Sequence, residues 1–331
     1  MRITRFVLSS LVLVAVSLTS CQKVAEQDLG TTHQTRSGSA ISVTADPARA
    51  QSLWTAVYNS EDGFDTTQYF DFIIEASETG WSESDIRWTI EKFASVQAQE
   101  GDQLGNVPRY LKEGAQDYSD ANNVEFALQL ASVALIRYYP SWSSETRAAF
   151  NIFVDKAVYA LWKHDNVAVT YSNIFIMHVW NLIALGENLD SSRTWGAGLG
   201  LTPATLASKG YELLDRFCTQ TASYGIHEHN SPTYAGVQAE CIGFLSNFTK
   251  DATALAKARK LREYLSIFIA ANYYTPASVL SGTMSRCYNR GFSGGKIDQL
   301  AKGMLSGSTM YAYNQLAAWT LPQRAVNFSS E

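Results

Sequence analysis

The chain has 331 residues, 46% of them hydrophobic and 12% aromatic, with a formal net charge of −5 at pH 7. That is the composition of a globular protein with a sizeable core. An acidic balance argues against a nucleic-acid binder, which needs a basic face, and weighs against a polyanionic ligand unless a local basic cleft overrides the average field.

In chain order, Arg2 and Arg5 form a basic n-region, and the apolar run from Phe6 to Val16 is too short to span a bilayer. Together they read as a secretion signal. Leu18-Thr19-Ser20-Cys21 follows and resembles the bacterial lipobox. The resemblance implies a signal peptide over residues 1–20 and a lipidated Cys21 that anchors an extracytoplasmic body to the bacterial cell envelope. An ordinary signal peptide with a chance cysteine is the plainer alternative. Residues 21–46 are rich in Gln, Thr, Ser and Gly without apolar periodicity, and read as a flexible tether. Residues 47–331 contain no Pro/Gly-rich break and read as one domain. Beyond Cys21 only Cys218, Cys241 and Cys287 remain, so no disulfide framework holds the fold, and no CxxC spacing suggests a structural zinc.

The body is predicted to be helical almost throughout, with helices near 48–59, 66–79, 83–99, 122–138, 143–163, 171–187, 203–221, 232–248, 251–272 and 297–319. Start signals stand at Ser82-Glu83-Ser84-Asp85, at Ser143-Ser144-Glu145 and at Thr202-Pro203. Apolar residues recur at helical spacing, as in Leu255, Ala258, Leu261, Leu265 and Phe268. Strand signals are few, and residues 278–295 read as a long Gly-rich loop. The expected class is all-α: successive helical hairpins closed into an α/α toroid, or a right-handed helical superhelix. The absence of a clean 34–47-residue period favours the toroid.

Three stretches carry chemistry. Gly225-Ile226-His227-Glu228-His229-Asn230-Ser231-Pro232-Thr233-Tyr234 holds two of the five histidines, a carboxylate, an amide and a phenol. Asn230 or Ser231 with Pro232 reads as a helix start, leaving His227, His229 and Tyr234 to face one pocket. Asn173, ahead of Met177, His178 and Asn181, is either a helix cap or an amide donor in a cleft. The loop 282–296 carries Arg286, Tyr288, Arg290 and Lys296 among glycines, which suits an anion site, although a solvated loop is the plainer reading.

The order Asn173, His227 or His229, Tyr234, Arg286 resembles the Asn–His–Tyr–Arg set of the α/α-toroid polysaccharide lyases, the chondroitin AC, heparinase-type and alginate lyase group. The resemblance implies β-elimination on a uronic-acid-containing, anionic glycan without metal or cofactor. Asn173 and Arg286 would neutralise the carboxylate and its enolate-like intermediate. Tyr234, its phenol lowered by a neighbouring cation, or His229 would serve as base and acid. Glu228, Asn230, Tyr288 and Arg290 would contact substrate.

Other readings stay open. His227-x-His229 with Glu228, Glu240 or Asp165 has some of the ligands of a zinc hydrolase, but HxH without a defined third ligand is a weak signal. A glycoside hydrolase needs two carboxylates across a sugar, for which Glu228 with Glu240 or Asp165 are candidates. A non-catalytic glycan-binding surface lipoprotein would use tryptophans such as Trp81, Trp88, Trp142, Trp162, Trp180 and Trp195 as stacking platforms, although packing explains most of them.

Overall fold

Two kinds of helix make this molecule, and burial separates them. The computed structural model describes residues 41–165, 167–228, 231, 233–274, 279–280, 300, 303–305, 310–319 and 321, all within the unit Ser37–Glu331. Cys21, His229, Asn230, Arg286, Tyr288 and Arg290 lie outside the described residues, as do residues 1–20, most of the tether and the 282–296 loop. The fold is all-α, 67% helical. In order come α1 (Pro47–Tyr58), α2 (Gln68–Thr79), α3 (Glu83–Ser95), α4 (Asn123–Arg137), α5 (Ser144–Lys163), α6 (Ser172–Asn188), α7 (Pro203–Tyr224), α8 (Tyr234–Phe248), α9 (Ala252–Asn272) and α10 (Ala312–Ala317). Between α9 and α10, β1 (Tyr273–Tyr274) pairs antiparallel with β2 (Val279–Leu280), and β2 falls in the 278–295 stretch that reads as loop in the sequence.

Helix α5 buries Ala149, Phe150, Phe153, Val154, Ala157, Val158 and Leu161, one stripe at three- and four-residue spacing, and its other face is wet. Helices α1, α3, α7 and α9 are one-sided in the same way. By contrast α6 is buried at every residue from Ser172 to Leu185, and α8 at every residue from Ala235 to Ser246. Helix α4 is buried from Asn123 to Leu135 except at Phe126. A helix apolar all round must have neighbours all round. Accordingly α2 packs on α4, α4 on α6, α6 on α8, α8 on α10, and α10 on α2. The one-sided helices cover them: α1 and α3 on α2, α5 on α4, α7 on α6, α9 on α8. Helix α10 comes so close to α8 that a Cβ at Gly243 would lie 2.0 Å from the Ala317 carbonyl oxygen, so only glycine fits there.

The sequence start signals are built as read at two helices. Ser143 Oγ accepts from the Thr146 N–H, and Thr202 Oγ1 accepts from the Thr205 N–H ahead of a first-turn proline. Each such cap is worth about 1 kcal/mol. Ser82 occupies the cap position of α3 but makes no capping bond with its side chain.

Most helices lie within three residues of the predicted bounds, and two differ by more. The 83–99 helix stops at Ser95, because the chain folds back to bond Ala98 N–H to the Asn106 carbonyl and Gly105 N–H to the Ala98 carbonyl. The 297–319 helix is not continuous: Met310 and Tyr311 are non-helical, and α10 begins at Ala312, whose N–H is held at 2.9 Å by Glu75 of α2.

Candidate functional site

A cavity of about 390 Å³ opens between the starts of α2, α4 and α8. Asp71 lines it from α2, Asn123, Phe126 and Gln129 from α4, Tyr234 from α8 and Tyr313 from α10, with Arg109 and Asp120 from the connection before α4. These residues span most of the domain in sequence. They meet because α2, α4, α8 and α10 are neighbours.

Several of the polar groups are fixed before any ligand arrives. The Arg109 guanidinium donates to Asp65 Oδ2 at 2.9 Å and lies over the Phe126 ring, 5.2 Å from its centroid. Its loop is pinned to the start of α2, since Thr66 Oγ1 donates to the Pro108 carbonyl at 2.6 Å and Thr66 N–H to the Arg109 carbonyl at 3.0 Å. Asp71 pairs with Arg49, which also donates to Glu75 Oε1 at 3.1 Å and stacks on Tyr311. Beneath the cavity Gln129 donates to Glu240 Oε2 at 3.0 Å and Asn314 to Oε1 at 2.9 Å, so the buried Glu240 carboxylate is held from two sides. The Asn123 side-chain amide has no hydrogen bond among the described residues and is presented to the cavity.

The two phenols differ in what they can do. Burial pushes the Tyr313 hydroxyl well above the usual tyrosine range, and the negative charges of Glu240 and Asp71 add to this against Arg49. Tyr313 is therefore a proton donor at working pH and not a base. Tyr234, half-buried in the first turn of α8, is the other phenol in the cavity.

Beside this cavity lies a buried hub. Glu125 is completely enclosed and its Oε1 meets His178 Nδ1 at 2.6 Å and His164 Nδ1 at 3.3 Å, while Asn181 donates to Oε2 at 3.0 Å. Burial alone would raise the Glu125 carboxyl, but the charge and hydrogen bond of His178, with those of His164, outweigh it and hold Glu125 below the usual range. Burial likewise opposes the charged form of His164, and the hydrogen bond and charge of Glu125, with Asp120 and Asp165, raise it above the usual histidine value.

The residues singled out in the sequence fall into different places. Ser231 Oγ accepts from Tyr234 N–H at 3.1 Å, in line with the capping role read for it, although α8 begins at Tyr234 with Thr233 in the cap position; Asn230 and Pro232 lie outside the described residues, and Gly225, at φ 75°, ends α7 before this stretch. His227 is exposed and does not line the cavity. Glu228 is buried: its Oε2 accepts from Asn173 N–H at 2.8 Å, from Ser172 Oγ at 3.4 Å and from Gln238 Nε2 at 3.2 Å. Asn173 thus sits inside the first turn of α6 rather than capping it. Its side-chain amide is fully buried, with neither oxygen nor nitrogen bonded among the described residues. Asn173 and Glu228 are brought together, and Gln238 links them to the helix that carries Tyr234. Asn173 itself is not among the lining residues described for the cavity.

Arg109, Asn123, Gln129, Asp71, Asp120 and Tyr313 were not singled out in the sequence. The signal that marks part of this set is in α4: Asn123, Glu125 and Gln129 interrupt an otherwise apolar helix, and a buried polar residue in such a run needs a partner. Glu240, weighed as a hydrolase carboxylate or zinc ligand, is occupied by Gln129 and Asn314, and Asp165 is exposed. Among the described residues no group of three or more His, Cys, Asp or Glu is placed to hold a metal ion. Cys218 is a half-buried free thiol, Cys241 is buried in α8, and Cys287 lies outside the described residues. Trp142, Trp180 and Trp195 are core residues, while Trp81, Trp88 and Trp162 are half-buried.

Fold and site together define a mainly helical globular protein with a polar cavity at the starts of its buried helices. No family model, curated protein or solved structure matches the chain.

Proposed function

We propose that the chain is a polysaccharide lyase-like enzyme built on an α/α toroid, cleaving a uronic-acid-containing glycan by β-elimination at the cavity around Tyr234. The cyclic order of contacts α2, α4, α6, α8, α10 and back to α2, with one-sided helices outside, supports the toroid. The observation that carries the chemistry is that Tyr234 shares one cavity with a fixed cation, Arg109, and an uncommitted amide, Asn123.

Elimination removes the proton on the carbon α to the uronate carboxylate and expels the glycosidic oxygen at the β carbon. Arg109 and Asn123 would hydrogen-bond the carboxylate and stabilise the enolate-like intermediate, the role that the family resemblance gives to Asn173 and Arg286; such donors are worth about 10²–10³ in rate. Tyr234, in the same cavity as the Arg109 guanidinium, would take the proton. Tyr313, protonated and on a different helix, would donate to the departing oxygen or to a sugar hydroxyl. The lipobox at Cys21 supports a lipid-anchored enzyme of the cell envelope.

The test is to incubate the full chain with a panel of polyuronates and follow the ultraviolet absorbance of the unsaturated uronate. Arg109→Ala is expected to lower the rate about 10²-fold. A second reading, an inverting or retaining glycoside hydrolase, is favoured by two carboxylates in the cavity, Asp71 and Asp120. Elimination is preferred because Asp71 is committed to Arg49 and Asp120 is exposed, whereas a glycosidase acid sits in an apolar pocket. New reducing ends without unsaturated product would establish the hydrolase.

A further inference from the structure

We infer that Glu228 is a positioning residue, a buried latch that fixes the helix carrying Tyr234 against α6; this rests on the reading of Tyr234 as the reactive phenol. Glu228 lies six residues before Tyr234 in the loop between α7 and α8. Its carboxylate reaches two helices at once: the start of α6, through Asn173 N–H at 2.8 Å and Ser172 Oγ at 3.4 Å, and α8, through Gln238 Nε2 at 3.2 Å. Its own N–H donates to Ser172 Oγ at 3.2 Å, so the backbone as well as the side chain of the loop is tied to α6.

Gln238 stands one helical turn beyond Tyr234, on the same side of α8. A bond from that side chain to a group seated on α6 therefore restrains rotation of the turn that aims Tyr234. Ser231 completes the arrangement, since it holds the Tyr234 N–H at 3.1 Å from a position three residues past Glu228. A buried carboxylate is costly unless it is fully engaged. Among the described residues, Glu228 meets that cost with donors from Ser172, Asn173 and Gln238 and with the positive end of the α6 dipole. The burial also explains why this loop carboxylate is unsuited to touching a sugar: Glu228 is 5% exposed.

A simple cap for α6 and a latch for Tyr234 make different predictions. In the full chain, Glu228→Ala should lower kcat on the polyuronate roughly 10²-fold with KM nearly unchanged, as for a displacement near 1 Å of a reacting group. Glu228→Gln, whose amide oxygen still accepts from Asn173, should recover most of the loss. Gln238→Ala cuts the same tie from the α8 side and leaves the α6 cap in place, so it keeps the inference testable if Glu228→Ala fails to fold.

Amide hydrogen exchange reads the latch without any substrate. Faster exchange at Tyr234 in both variants, with the double variant no worse than Glu228→Ala alone, is the expected result. Faster exchange at Asn173 only, with Tyr234 exchange and kcat unaltered, would overturn the latch and leave Glu228 as a cap. If the wild-type chain makes no unsaturated product, the lyase reading fails, and the exchange result alone decides the latch.

Discussion

At the scale of single residues, Asn173 shows best where chemistry and packing part company. The sequence offers it as a cap or as a donor, because Asn takes both roles at helix starts. The structure gives the capping role to Glu228, a residue 55 positions away, and leaves both polar atoms of the Asn173 amide buried and, among the described residues, unbonded. An unmade buried hydrogen bond costs about 1–3 kcal/mol, and natural chains keep such residues where function repays stability. Asn173→Leu, similar in volume and free of polar atoms, is expected to leave the unfolding free energy unchanged or raise it by about 1 kcal/mol in urea titration. A loss above about 2 kcal/mol would show that the amide has partners in solution. The same variant assayed for turnover separates a donor from a relic: a donor's loss lowers kcat while stability holds.

At the scale of elements, the recurring device is a glutamate from one element capping the start of another. Glu83 of α3 accepts from Ser143 N–H and Thr146 Oγ1 at the start of α5. Glu187 of α6 accepts from Lys250 and Asp251 N–H at the start of α9, Glu75 of α2 holds Ala312 N–H of α10, and Glu228 holds α6. Local caps such as Ser143 and Thr202 were legible in the sequence because cap and helix are adjacent. Caps supplied across the fold were not, since nothing local pairs Glu75 with Ala312. The Glu125–His178–His164 hub joins α4, α6 and the end of α5, and its pH response follows from two opposite shifts. His164 is raised, so its contribution is complete below its unfolded pKa of about 6.5 and is lost as pH rises through the folded value. Glu125 is lowered, so its contribution is complete above about 4.3 and is lost as pH falls through the folded value. The melting difference between the wild type and Glu125→Gln should therefore be largest between about pH 4.3 and 6.5 and shrink towards pH 8. A difference that grows above pH 7 would contradict the pairing. Gly243→Ala, which drives a methyl group into the Ala317 carbonyl, should cost about 3 kcal/mol or more, read by thermal melting.

At the scale of the whole molecule, the all-α class was legible because periodic apolar stripes and start signals recur along the chain. The stripes are clearest in the covering helices, such as α5 and α9. The fully buried α6 and α8 give little periodicity, so sequence cannot say which helices lie inside, and with that it loses the cavity. Tyr234 was found because it stands in a locally dense polar stretch, whereas Arg109, Asn123 and Tyr313 are isolated in sequence and gain meaning only when their elements meet. The proposed anchor belongs to this scale as well: Cys21→Ala should release the protein from the membrane fraction on cell fractionation, and retention there would contradict lipidation at Cys21. The central claim is that Tyr234 abstracts a proton in a β-elimination. It is tested by ultraviolet absorbance of the unsaturated uronate formed by the wild type and by Tyr234→Phe on the same polyuronate. The account predicts product from the wild type and a loss of about 10³-fold or more in the variant, with its fold intact; product formed at equal rates by both would contradict it.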